Sequence, residues 1–291
     1  MASPTEESLI KAIQDQQDAL MAQMDGSLKE VFKTLTDQVL AITDDLSLDP
    51  KDRAKNLREM LRMKKQITDT IVNNEDYQKE VANLLDGFES LADLSDSYVG
   101  LILDQPYKRK ALYNAILQTN IEVTKDALLG AGINNNFSNA IQEVLKTNIA
   151  GTTKRSELRQ ILSKFIQGSD QEKAYLERYI KQTTNDAIMV FNREYIQAIS
   201  DDLDFGYYRY KGTVIEDTRP FCQTRSGKVY TKEEVKKWAD LGDWQGRMAG
   251  TTQSTIFSYC GGYNCRHTLY PISEARYRKE KGLPPKEKSP E

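Results

Sequence analysis

Gly206-Tyr207-Tyr208-Arg209-Tyr210-Lys211-Gly212-Thr213-Val214-Ile215 is where the chain changes texture. Aromatic and β-branched residues alternate with polar ones, the pattern of a pleated strand rather than of a helix. Before this stretch every periodic segment reads as helix. After it the chain reads as a small mixed module: a turn at Arg225-Ser226-Gly227-Lys228, a helix capped at Thr231-Lys232-Glu233-Glu234 and running to Leu241, a glycine-rich loop to about Thr255, and a short strand near Leu269 to Ile272.

Working back from Gly206, the longest periodic run is Ile10, Ile13, Gln17, Leu20, Met24, Leu28, Val31, Leu35, Val39, Ile42 and Leu46. Its spacing averages about 3.6 residues, which predicts one long amphipathic helix packed on a core rather than a strict coiled coil. Gly26 inside the run costs about 1 kcal/mol relative to alanine. Ser3-Pro4-Thr5-Glu6 predicts its start, with Ser3 as the cap and Glu6 as the box partner. Asp49-Pro50-Lys51-Asp52 restarts the chain as a second helix ending at Asn73-Asn74; a third spans Asp76 to Leu91, and Pro106 opens a fourth that stops at Gly130-Ala131-Gly132. A loop Ile133-Asn134-Asn135-Asn136 then leads to Ser138 as a cap, with helices from Ala140 to Ile149, Ser156 to Ile166 and Asp170 to about Leu203.

The fold predicted is mostly α: long N-terminal helices, then a helical domain and a small C-terminal α+β module stabilised by metal. With 291 residues, 39% of them hydrophobic, two domains are the natural division. The boundaries predicted are a helical region over 1–150, a domain over 151–272 containing the module at 206–272, and a mobile tail over 273–291 that mixes charge with proline. The formal net charge is only -3 although 29% of residues are charged, so no global field draws the chain to nucleic acid or lipid. No apolar run reaches the ~18 residues of a membrane span, and the first residues carry no signal-peptide pattern, which predicts a protein neither secreted nor membrane-embedded.

The three cysteines and the single histidine all fall in the mixed module, as Cys222, Cys260, Cys265 and His267. Three thiolates and one imidazole match the number and softness that tetrahedral zinc prefers, and a filled shell makes such a site structural. Gly261-Gly262 relax the backbone between Cys260 and Cys265, and Cys265 and His267, two apart, share one side of an extended segment. An odd number of cysteines argues against a disulfide framework and suits a reducing site of synthesis.

Asp217-Thr218-Arg219-Pro220-Phe221-Cys222, then Ser226-Gly227-Lys228-Val229-Tyr230, and later Gly261-Gly262-Tyr263-Asn264-Cys265-Arg266-His267 with Pro271 behind it, resemble the C-terminal signature of the minor head proteins of tailed bacteriophages, the Mu F-like head morphogenesis family. Thr183-Thr184-Asn185-Asp186 and Asn192-Arg193-Glu194 fit the family's helical Asn/Thr-rich element with an arginine. The resemblance covers roughly residues 150 to 272. It departs from the family where Gly262 stands in place of a His-Pro pair, so Cys260 as a ligand rests on chemistry alone.

The resemblance implies a virion component made in the host cytoplasm, present in a few copies arranged by the symmetry of the portal vertex or head interior. It would act in head assembly, DNA packaging or ejection, with portal or other head proteins as partners. Alternatives are a virion-packaged ADP-ribosyltransferase using Arg193, Tyr208 and Glu216, a host-side metal-binding interaction protein, and a Cys260 or Cys265 nucleophile with His267 as base. Against enzymes, no phosphate-binding loop, nucleophile elbow or His-Glu-x-x-His element occurs, and one histidine excludes multi-histidine hydrolytic centres. The basic runs Lys108-Arg109-Lys110, Lys154-Arg155, Lys236-Lys237 and Arg276 to Lys281 read as solvated helix faces, with packaged DNA as the functional alternative. Arg219 and Arg266 are expected to pair with Asp217 or backbone carbonyls.

Overall fold

The structure, a computed structural model, describes residues 4–44, 47, 49–151, 153–168 and 174–286. About 70% of the chain is helical, with one small antiparallel sheet near the C-terminus, as the periodicity predicts. The long helices are α1 (Glu6–Asp44), α2 (Arg53–Val72), α3 (Glu75–Ile102) and α4 (Ala111–Leu129). A single turn α5 (Ala131–Ile133) precedes α6 (Asn139–Ala150), α7 (Arg155–Gln167) and α8 (Tyr175–Asp202). Ile10, Ile13, Gln17, Leu20, Met24, Leu28, Val31, Leu35 and Val39 are all buried along α1, so the stripe is a core face; the expected continuation to Leu46 lies outside the described residues. Ser3 also lies outside them, and the cap is Thr5, whose hydroxyl accepts from the Ser8 amide at 3.2 Å while Ser8 Oγ accepts from the Thr5 amide at 2.8 Å.

The chain divides into two compact units, but not at residue 150. One comprises Met1–Ala19, Gly87–Asn120 and Asn185–Glu291; the other comprises Leu20–Asp86 and Ile121–Thr184. Helices α1, α3, α4 and α8 each contribute residues to both, because helices of 19 to 39 residues are longer than one small core covers. Hydrophobic periodicity marks the buried face of a long helix and carries no sign of which core receives each turn.

In the unit of residues 20–86 and 121–184, α2 packs on α6, and Tyr77 and Tyr179 donate to the carbonyls of Leu128 and Ala127 at 2.9 and 2.8 Å. The asparagine run is not the loop that its turn propensity suggests. Asn134–Ser138 form a π-helical turn that continues into α6, because Ile133 and Phe137, four apart, are both fully buried. Ser138 has helical dihedral angles and caps nothing; its buried hydroxyl lies 2.5 Å from that of Thr68.

In the other unit the sheet runs β2-β1-β3, with β1 Tyr207–Gly212, β2 Val229–Thr231 and β3 His267–Pro271. Tyr208 and Tyr210 of β1 face an aromatic core with Phe221, Trp238 and Phe257. Arg209, between them and therefore on the opposite face, is only 4% exposed and is neutralised by Glu7 and Glu280. Short helices decorate the sheet: α9 (Pro220–Gln223), α10 (Lys232–Lys236), α11 (Ile256–Tyr259) and α12 (Glu274–Glu280).

The expected mobile tail at 273–291 thus begins as a capped helix. Ser273 Oγ accepts from the Arg276 amide at 3.2 Å, and Tyr277 packs on Tyr207 with ring centroids 4.5 Å apart; residues 287–291 lie outside the described residues. The capping box read at Thr231 is present, with Glu234 N donating to Thr231 Oγ1 at 3.1 Å and Thr231 N donating to Glu234 Oε2 at 2.6 Å. Thr231→Ala is expected to lower stability by about 1 kcal/mol. Urea denaturation checks this, and a change under a quarter of that size would mean the box contributes nothing.

Candidate metal centre

Three short segments carry the candidate ligands. Pro220 at the first position of α9 starts one helical turn that presents Cys222; the turn at Gly261-Gly262 brings back Cys265; and β3 begins with His267, opposite Gly212 of β1. The ligand atoms of Cys222, Cys265 and His267 lie within 4.8 Å of one another, and all three residues are buried. The two sulfurs are 3.7 Å apart. A tetrahedral ion with metal–sulfur bonds of about 2.3 Å sets its sulfurs about 3.8 Å apart, so the pair is already spaced to share one.

Cys260, the fourth ligand expected from composition, is not in this group. Its backbone closes α11 at φ 48°, and its thiol donates to the Phe257 carbonyl at 3.2 Å. Spacing allowed it to ligate; the tight turn that follows sends its side chain elsewhere.

The surroundings orient the three ligands. Tyr210 places its hydroxyl 3.4 Å from Cys222 Sγ and 3.5 Å from Cys265 Sγ, and its ring stacks on His267 at 5.0 Å. His267 Nε2 lies 3.2 Å from Ser226 Oγ. A proton on Nε2 directed at Ser226 leaves the Nδ1 lone pair for a metal. Sequence reading named neither Tyr210 nor Ser226 as site residues; the alternation of β1 puts Tyr210 on the core face but says nothing of what it meets there.

Two guanidiniums, buried Arg193 and half-buried Arg219, hold the ligand-bearing turns. Arg193, on α8, donates through Nε to the His267 carbonyl at 2.9 Å, through Nη1 to Ser258 at 3.2 Å, and through Nη2 to Cys265. Arg219 donates to the carbonyls of Gly261 at 2.7 Å and Gln245 at 3.1 Å, and to that of Tyr263. Arg219 thus follows the carbonyl expectation, whereas Arg266 meets Asp18 at 3.4 Å rather than Asp217. Asp186 of α8 accepts from the Asn264 amide at 2.8 Å.

Burial would raise the Cys265 thiol, but the hydrogen bond from Cys222, the Arg193 charge and His267 outweigh it and hold Cys265 well below the ordinary thiol range. Cys222 is pushed up, first by that same hydrogen bond and then by burial. The two shifts are opposite in sign and belong to one coupled pair, which a cation would bind by displacing thiol protons. Cys260, set apart, is pushed up to about 12 by burial, with Arg193 opposing.

Close approach at Gly261 is required by the site. A Cβ there would stand 2.4 Å from Cys222 Sγ and 2.9 Å from Cys265 Sγ. Gly261→Ala is therefore expected to push the sulfurs apart and weaken metal binding by at least about tenfold, measured by competition with a chromogenic chelator. Retention of affinity within about twofold would show that the sulfurs do not set it.

Tyr208 is fully buried with its hydroxyl on the Phe205 carbonyl at 3.1 Å, Arg193 is occupied by three carbonyls, and Glu216 is exposed. Several of the basic runs are already paired: Arg109 with Glu89, Asp93 and Asp96, Lys110 with Asp202, Lys236 with Glu233, Arg276 with Glu280. Among the described residues no helix is long and apolar enough to cross a membrane. What fold and site together define is a helical protein with a buried Cys-Cys-His group able to hold a metal ion. No family model, curated protein or solved structure matches the chain.

Proposed function

We propose that this chain is a structural component of a tailed-phage head, acting at the portal vertex or head interior in assembly, DNA packaging or ejection. The observation that carries the reading is spatial. The three sequence elements that resemble minor head proteins, at Asn192-Arg193, Asp217 to Cys222 and Asn264 to His267, are distant in sequence yet meet around one buried group. Arg193 and Arg219 spend their donors on backbone carbonyls, which suits a clasp for a docking module better than a catalytic pocket. The ion that fits two thiolates and an imidazole in tetrahedral spacing is zinc, which would tie three distant segments together.

Two measurements test this. Elemental analysis of the purified chain is expected to give about one equivalent of zinc per chain. Mass spectrometry of purified particles, with co-purification on a tagged portal protein, is expected to find the chain in both. Absence from particles would sink the head-component reading whatever the zinc content. Transfer of label from labelled NAD to any protein would replace it with the ADP-ribosyltransferase reading.

A further inference from the structure

Two thiolates and one imidazole leave a tetrahedral ion one ligand short. The remaining cysteine, Cys260, is engaged with the Phe257 carbonyl, and among the described residues no carboxylate joins the Cys222, Cys265 and His267 group. What adjoins the three ligands instead is a partly open cavity of about 40 Å³, lined by all of them together with Asp217, Thr218, Asn264 and Arg266. That volume accommodates a water molecule or an anion of a few atoms.

We infer that the ion held by Cys222, Cys265 and His267 keeps its fourth position open to this cavity, where it takes an exchangeable ligand: water at rest, and a small monodentate anion when one is offered. The cavity supplies what such a ligand needs. Polar Thr218 and Asn264 are among its lining residues, as are Asp217 and Arg266, the latter with 29% of its side chain exposed and its guanidinium 3.4 Å from Asp18. An ion carrying two thiolates has no net charge left to satisfy, so water is its resting ligand. An anion would gain from the positive charge of Arg266 on the wall and of Arg193 beside Cys265, although both guanidiniums already have acceptors, Asp18 for the first and three carbonyls for the second. The centre departs in this respect from the filled, closed shell that four ligands would have given.

This inference rests on the metal reading of the site, and the experiment separates the two. The full chain is loaded with cobalt(II) in place of the native ion, and its visible spectrum is recorded during titration with azide. The expected result is tetrahedral cobalt with sulfur charge-transfer intensity from two thiolates, unchanged in Cys260→Ser and in Cys260→Ala, with d–d bands that shift saturably as one azide binds. A charge-transfer band that falls by about a third on replacing Cys260 would make that cysteine the fourth ligand and overturn the inference while leaving the metal site intact. A wild-type spectrum insensitive to azide up to saturation would equally overturn it, and this arm needs no variant to fold. Failure of the wild-type chain to bind cobalt at all would remove the metal reading and the inference together.

Discussion

Cobalt- or zinc-loaded protein carrying Cys265→Ser is expected to lose its metal and, with it, the ordered state of residues 207–271. Metal binding at a structural site contributes on the order of 10 kcal/mol that the apo chain lacks, and a serine hydroxyl does not replace a thiolate ligand. The loss is not confined to the module. Tyr98 of α3 donates to the Pro271 carbonyl at 2.7 Å, and Arg193 of α8 holds Cys265, Ser258 and His267. Amide hydrogen exchange is therefore expected to quicken around Tyr98 and Asn192 as well as in the sheet, while residues 20–86 and 121–184 keep their protection. Uniform loss of protection would show that the two units do not unfold separately; unchanged protection in the sheet would show that metal contributes little to its order.

Arg193→Met is expected to destabilise the same unit by about 4 kcal/mol, because two buried carbonyls and the part-buried one of Ser258 lose their donor and each unsatisfied buried group costs about 1–3 kcal/mol. The methionine fills most of the space, so cavity formation contributes little. Burial works against the guanidinium's charge, yet the thiols of Cys260 and Cys265, with Tyr210 and Asp186, hold its pKa above the ordinary value. Arg193→Lys is expected to recover only part of the loss, since one ammonium does not span three acceptors set in a planar fan. Urea denaturation followed by near-ultraviolet circular dichroism measures both variants. A loss under about 1 kcal/mol for Arg193→Met would mean that water replaces the guanidinium at no cost.

The features legible in the sequence were those written in local periodicity and chemistry. The 3.6-residue stripe from Ile10 to Val39 is buried as spacing requires, and the alternation from Tyr207 to Gly212 is the central strand. The box at Thr231 needs only four residues to be read. Cys222, Cys265 and His267 were legible because soft ligands clustered in one module. That Cys260 stands outside their group is invisible in spacing, because its direction depends on a positive φ and on the Phe257 carbonyl that its thiol meets. The Asn134–Asn136 run was misread for a related reason: burying Ile133 and Phe137 outweighs the local preference of asparagine for turns. The partition into units was illegible because no composition change marks the middle of a long helix.

The charge at Arg209 bears on how the chain is made. Its guanidinium sits in the middle of β1 and is paired with Glu7 and Glu280, so it needs one carboxylate that precedes it in the chain and one that exists only after residue 280 has left the ribosome. A buried guanidinium short of a partner costs several kcal/mol, which keeps the sheet from closing early. Residues 20–86 and 121–184 are complete long before that point and are free to fold as they emerge. The sheet that carries the Cys-Cys-His group is therefore expected to assemble last, when its thiols, imidazole and both carboxylates are present together, which pulse-labelling hydrogen exchange during refolding would check.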